Sequence, residues 1–266
     1  QYEFMRDALL MGSLIAAMCA VLSCFLVLRG WALMGDAVSH AVLPGIVIAY
    51  WCGGPLFLGA MVAGFFCAVG SGWVKRVSRI KEDTAMGVVF TGLFAVGLVL
   101  FHKVPSDLHL DHILFGHILG IVEKDKPSIV VISLLVMGLL WIKRRDLLLW
   151  MFDEAQARVI ALPVRLLHYG LLALLSVAIV VALKSVGLVL VTAMLITPGA
   201  TAFLWTDRFD RMLGVAVMTA VLSTLIGLTV SFALDASSSA CMVLCQSGFF
   251  LLSWFFGPKH GLLRGR

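Results

Sequence analysis

Nine apolar stretches follow one another along the chain, at 9–28, 31–50, 56–74, 84–104, 127–142, 168–183, 186–205, 212–234 and 240–256, with only short polar breaks between them. About 20 apolar residues at about 1.5 Å rise cross the roughly 30 Å hydrocarbon core of a bilayer. The pattern therefore predicts an all-α polytopic membrane protein of nine spans in a lipid bilayer. The stretches 127–142 and 168–183 are short for a straight crossing and the boundary at Lys184 is soft, so counts of eight to ten stay open. Composition agrees: hydrophobic residues fill 61% of the 266 positions and charged ones 13%, against about 45–50% and about a quarter in soluble domains. A water-soluble fold could not hide that much apolar surface, and 1–266 reads as a single transmembrane domain.

The net charge of +5 does not point to nucleic acid, because the basic residues fall between apolar stretches and not along one face. They report orientation instead. With the C-terminus in the cytoplasm, 15 of the 20 lysines and arginines lie inside and 5 outside. That choice makes 143–167 the longest cytoplasmic loop and 105–126 the longest external one. The first apolar stretch lacks a basic leader and runs into a second span, so no cleavable signal peptide is expected. Cys19, Cys24, Cys52, Cys67, Cys241 and Cys245 show no zinc-type pairing in sequence and read as packing residues. Small residues at helical spacing, Gly12, Ala16 and Ala20 on the first span and Gly59 and Ala63 on the third, predict close helix packing.

Of the fifteen acidic residues, only Asp36 lies within an apolar stretch. A carboxylate at depth costs about 2.5–3.5 kcal/mol on insertion scales, so such residues face a polar path or a partner. His40 follows four residues later, on the same helix face. A carboxylate and an imidazole together suit manganese, iron or zinc, whereas calcium and magnesium favour oxygen alone. Two ligands are too few for a closed site, and a dimer about a two-fold axis would supply four. The competing reading is an Asp–His hydrogen bond that pins two helices. Pro44 removes a backbone donor near Ser39 and His40, which either frees a carbonyl for the site or is an ordinary membrane kink. Pro198 allows the same pair of readings on a later span.

The sequence around this pair is RGWALMGDAVSHAVLPGIVIAY, Arg29 to Tyr50. It resembles the second helix of the permeases of ATP-binding-cassette importers for manganese, iron and zinc, with Gly35-Asp36, His40 and Leu43-Pro44-Gly45 in the matching places. The resemblance continues through SRIKEDTAMGVVF (78–90), DHILFGHILGI (111–121) and VGLVLVTAMLITPGATA (186–202). It implies a multi-pass permease of the bacterial cell (inner) membrane, dimeric around a central translocation path, with Asp36 and His40 as ligands to the transported ion. It also implies a cytoplasmic ATP-binding subunit, an extracellular or periplasmic metal-binding protein, and a second copy or a similar permease. No permanently bound cofactor is implied, and the overall likeness leans toward manganese and iron, with zinc compatible.

Asp107, His109, Asp111, His112 and His117 form an external cluster that could pass a cation to the mouth of the path. A polar loop with a short re-entrant helix around Ile113–Ile121 is the favoured alternative. FDEAQARVIALPVRLL (152–167) resembles the family's coupling helix, which docks on the ATPase; Asp153, Glu154, Arg158 and Pro163 are its candidate residues. The family generally has glycine where this chain has Ala161. No GxxxxGK[ST] phosphate loop occurs, so ATP hydrolysis is expected on another subunit and not on this one. A secondary carrier driven by an ion gradient is the alternative, and would more often show an inverted repeat. An intramembrane metalloprotease would carry HExxH, which is absent.

Overall fold

The structure, a computed structural model, describes residues 3–78, 82–103 and 126–259. Within them lie ten helices: α1 (Glu3–Arg29), α2 (Ala32–Trp51), α3 (Leu56–Ser78), α4 (Glu82–Lys103), α5 (Lys126–Phe152), α6 (Glu154–Val159), α7 (Val164–Val186), α8 (Leu188–Trp205), α9 (Phe209–Leu234) and α10 (Ser238–Phe256). All but the six-residue α6 are long and apolar enough to cross a membrane, which gives nine spans among the described residues. Helices are what such apolar segments must form, because no water in the hydrocarbon can satisfy an open backbone. Serine and threonine hydroxyls obey the same constraint by turning back onto their own helix, as Ser39 Oγ does on the Gly35 carbonyl at 2.7 Å.

The spans match the apolar stretches in number and order and differ at their ends. The short stretch 127–142 is the first part of a 27-residue helix, since α5 starts at Lys126 and continues to Phe152. Lys143, Arg144 and Arg145 end the apolar window but are good helix formers, and Leu147 to Trp150 resume the packing face. The beginning of the expected 143–167 loop is therefore helical. The stretch 168–183 likewise belongs to the 23-residue α7, and the break before α8 falls at Gly187, where φ is +81°.

Contacts divide the chain into two compact units. One holds α1, α5 as far as Leu148, the end of α7 from Val181, and α8 to α10. Its core includes the fully buried Ile15, Met18, Leu22 and Phe25 of α1, with the Phe25 ring tilted 56° against that of Phe209 at 4.9 Å between centroids. Ala16 and Ala20, two of the expected small residues, are fully buried there. Ion pairs tie its helix ends together: Lys126 to Asp7 at 2.8 Å, Arg144 to Asp210 at 3.5 Å, and Lys259 to Asp207.

The other unit holds α2, α3, α4, α6, the last turn of α5 and α7 up to Val180. Here α2 and α3 touch backbone to backbone. A methyl group on Gly45 would run into the Gly59 carbonyl, and one on Gly59 into that of Gly45. Ala63 lines the same crossing, so the expected Gly59/Ala63 row packs against α2.

Candidate functional site

Asp36 lies in the second turn of α2 and His40 one turn further on, with Asp36 Oδ1 3.4 Å from His40 Nε2. The side chains are 34% and 26% exposed, in a helix whose other residues are mostly buried. A separation of 3.4 Å exceeds the usual range of about 2.7–3.2 Å for an N–H···O hydrogen bond. It equals the edge of a tetrahedron whose arms are about 2.1 Å long, the distance of carboxylate and imidazole ligands from zinc. Among the described residues no third histidine, cysteine, aspartate or glutamate joins the pair.

Helix α4 positions the imidazole. Phe90 and Phe94 lie one turn apart on α4 and both meet His40, Phe90 near-parallel at 5.9 Å and Phe94 edge-on at 5.1 Å between centroids. One turn further, Gly97 lies against Pro44: a methyl at Gly97 would come within 2.9 Å of the proline nitrogen and Cδ. The α4 row 90, 94, 97 thus seats His40 and Pro44 of α2. These three residues were not candidates in the sequence, although their spacing on one helix face is visible there. His40 Nδ1 is buried with no hydrogen-bond partner among the described residues. A ligating imidazole normally has an acceptor at its second nitrogen; here the ring is held by its contacts with Phe90 and Phe94 and by Asp36 at Nε2.

Pro44 sits inside α2 without ending it. Having no N–H, it leaves the His40 carbonyl without its usual donor, so an oxygen acceptor accompanies the two side chains. Pro198 sits inside α8 in the other unit. Beside it Ser23 Oγ accepts from the Gly199 N–H at 2.9 Å and donates to the Ile196 carbonyl at 3.2 Å, so α1 satisfies backbone groups that the proline disturbs. Asp107, His109, Asp111, His112 and His117 lie outside the described residues.

Asp153, Glu154 and Arg158 belong to α6 and its cap. Asp153 accepts from the Gln156 N–H at 2.8 Å as N-cap, and Glu154 pairs with Arg158 at 2.5 Å. The helix ends in paired bonds from the Ala161 N–H to the Arg158 carbonyl and from the Leu162 N–H to the Ala157 carbonyl, each 3.0 Å. That termination requires a left-handed residue, and Ala161 supplies it at φ +57°. The same bonding closes α1 at Gly30 and α2 at Gly53. Pro163 starts α7 and does not break α6: its carbonyl accepts from the Leu167 N–H at 3.0 Å. Around α6, Phe152, Val159 and Ile160 expose apolar surface, Val159 to 84%. Sequence reasoning weighed the charges of this segment and passed over these three.

Comparison with known proteins supplies what the geometry alone does not. The chain is 49% identical over 255 residues to the chelated iron transport system membrane protein YfeD of Yersinia pestis, covering 96% of this chain and 86% of that one. It is 43% identical over 263 residues to the manganese transport system membrane protein MntB of Synechocystis, covering 99% and 86%. Among solved structures it superposes on PsaBC from Streptococcus pneumoniae, determined in complex with a Fab, with a TM-score of 0.88 at 35% identity over 98% of this chain and 94% of that one. The model of the ABC 3 transport family matches residues 1–257, and this multi-pass membrane protein belongs to that family.

Proposed function

We propose that the chain is the permease subunit of an ATP-driven importer that carries a divalent transition metal, manganese or iron first and zinc also compatible, across a bacterial cell (inner) membrane. The observation that carries the reading is the Asp36–His40 pair on α2, 3.4 Å apart and partly exposed, in a chain whose relatives are named for iron and manganese transport. In this reading the two side chains are half of a site. A second copy or a similar permease across a two-fold axis provides the other half, giving two carboxylates and two imidazoles around the path. The two compact units then form one permease domain over 1–266. Pro44 supports the site by freeing the His40 carbonyl, and Pro198 kinks a second helix beside the path. The external residues Asp107, His109, Asp111, His112 and His117 receive the ion at the mouth, from an extracellular or periplasmic binding protein.

Helix α6 is the docking element for a cytoplasmic ATP-binding subunit. It is short and internally capped, with Asp153 and the Glu154–Arg158 pair fixing its shape and Pro163 starting the helix that follows. The exposed Phe152, Val159 and Ile160 give it an apolar surface that a partner would cover. ATP is hydrolysed on that partner and the chain itself is no enzyme.

The test is metal uptake into proteoliposomes by the permease purified with its ATP-binding subunit and binding protein. Manganese and iron should enter only with ATP inside the accessible compartment, and each should compete with the other. Uptake that ignores ATP but follows a proton or sodium gradient would show a secondary carrier instead.

A further inference from the structure

At the junction of α5 and α9 lies a cleft of about 470 Å³ that the proposed transport does not use. Arg144 and Arg145 of α5 line it, with Arg208, Phe209, Asp210 and Arg211 at the start of α9. Four arginines face a single carboxylate, leaving a formal excess of three positive charges. Arg144 is engaged by Asp210 at 3.5 Å and lies over the Trp141 ring at 4.0 Å. Among the described residues the guanidinium groups of Arg145, Arg208 and Arg211 have no acidic partner. The first turn of α9, which no side chain caps, lines the same cleft through Phe209, Asp210 and Arg211, so the positive end of its dipole adds to the field there.

The surroundings specify the kind of anion. All four arginines belong to the cytoplasmic set under the charge rule, at the level where two membrane-spanning helices reach the interface. Trp141 and Ile142, on α5 just before the cleft, are 59% and 73% exposed. An exposed tryptophan where an apolar stretch gives way to basic residues marks the headgroup level, and the apolar surface before it is where acyl chains lie. A soluble anion would use the arginines and leave that wall uncovered. A phospholipid uses both. We propose that this cleft binds the phosphate of an anionic phospholipid of the cytoplasmic leaflet, with Arg145, Arg208 and Arg211 on the phosphate, Arg144 held in place by Asp210 and Trp141, and the acyl chains along α5. Basic pockets between helices on the cytoplasmic side are suited to such headgroups, and arginine is the side chain best shaped for phosphate.

The experiment uses the full chain purified in a neutral detergent and titrated with phosphatidylglycerol, phosphatidylcholine or inorganic phosphate, with bound lipid counted by native mass spectrometry and the unfolding midpoint followed in parallel. Phosphatidylglycerol should bind at least tenfold more tightly than phosphatidylcholine, and equimolar inorganic phosphate should not displace it. Arg145→Gln with Arg211→Gln should lower phosphatidylglycerol affinity to the phosphatidylcholine level, while Arg165→Gln, outside the cleft, should leave it unchanged. The double change spares the Arg144–Asp210 pair. Should it nonetheless prevent folding, the wild-type comparison of the two lipids and phosphate still decides. Equal binding of the two lipids, or wild-type binding of phosphatidylglycerol by a folded double variant, overturns the proposal. Displacement by equimolar phosphate makes the cleft a site for a free anion. A double variant that keeps its lipid but no longer co-purifies with the ATP-binding subunit makes it a protein contact. Either of those results also overturns the lipid assignment.

Discussion

Ala161 carries the one backbone feature in α6 that its side chain opposes. An L-residue in the left-handed region costs about 1–2 kcal/mol, and glycine would remove that cost while adding about 0.4–1 kcal/mol of unfolded-state freedom. Ala161→Gly should therefore be neutral to mildly stabilising, by up to about 1.6 kcal/mol. Ala161→Val should be destabilising, because a β-branched side chain tolerates positive φ least. The unfolding midpoints of the detergent-purified variants check the order Gly, Ala, Val; a valine variant as stable as the glycine one would contradict the termination described for α6. The Asp36–His40 pair was legible in the sequence, since four residues on a helix is a local fact. The contacts of His40 were not legible, because Phe90 and Phe94 reach it from a helix about 50 positions along the chain, and only the folded arrangement sets that distance.

Between elements, the α2–α4 contact holds the histidine and the proline through one row of α4. Outer groups that orient a metal ligand typically matter by about 10- to 100-fold in affinity or activity. Phe94→Ala should therefore reduce metal uptake at least about tenfold with insertion and assembly intact, while Phe94→Leu, which keeps apolar bulk, should lose less. Equal uptake by the alanine variant and wild type would show that the ring needs no such support. Docking at α6 has a similarly direct test. Reversing charge at Asp153 would remove an N-cap worth about 0.5–2 kcal/mol and so confound folding with binding. Val159→Asp leaves the cap, the Glu154–Arg158 pair and the termination untouched and places a charge on the most exposed apolar residue of the segment. Co-purification with the ATP-binding subunit should fall sharply, and unchanged co-purification would remove α6 from the interface. The helical start of the expected 143–167 loop was hidden because hydropathy registers where apolar character stops, and a run of lysine and arginine stops it without stopping a helix.

At the scale of the molecule, the apolar pattern was enough for class and span count, since hydrocarbon leaves a chain like this little choice but helices. The alternation of the spans also finds internal support: within the first unit Asp7 with Lys126 falls at ends assigned to one side of the bilayer, and Arg144 with Asp210 and Asp207 with Lys259 at ends assigned to the other. No pair among these three joins ends of opposite assignment. Large apolar side chains of α3 to α5, among them Phe66, Trp73 and Ile142, remain exposed, as expected for surfaces that meet lipid or a second permease and not water. The division into two compact units was not legible, because a continuous series of similar spans carries no linker to mark it. The central claim is that an ion passes Asp36 and His40, and ATP-driven uptake by the assembled complex carrying Asp36→Asn tests it most directly. Asparagine keeps the size and the acceptor oxygen but not the charge, so a helix-pinning contact would tolerate it and a sparse cation site would not. Uptake should fall at least tenfold, about 1.4 kcal/mol in the apparent barrier, with membrane insertion and assembly unchanged; uptake within about twofold of wild type, about 0.4 kcal/mol, would contradict the account.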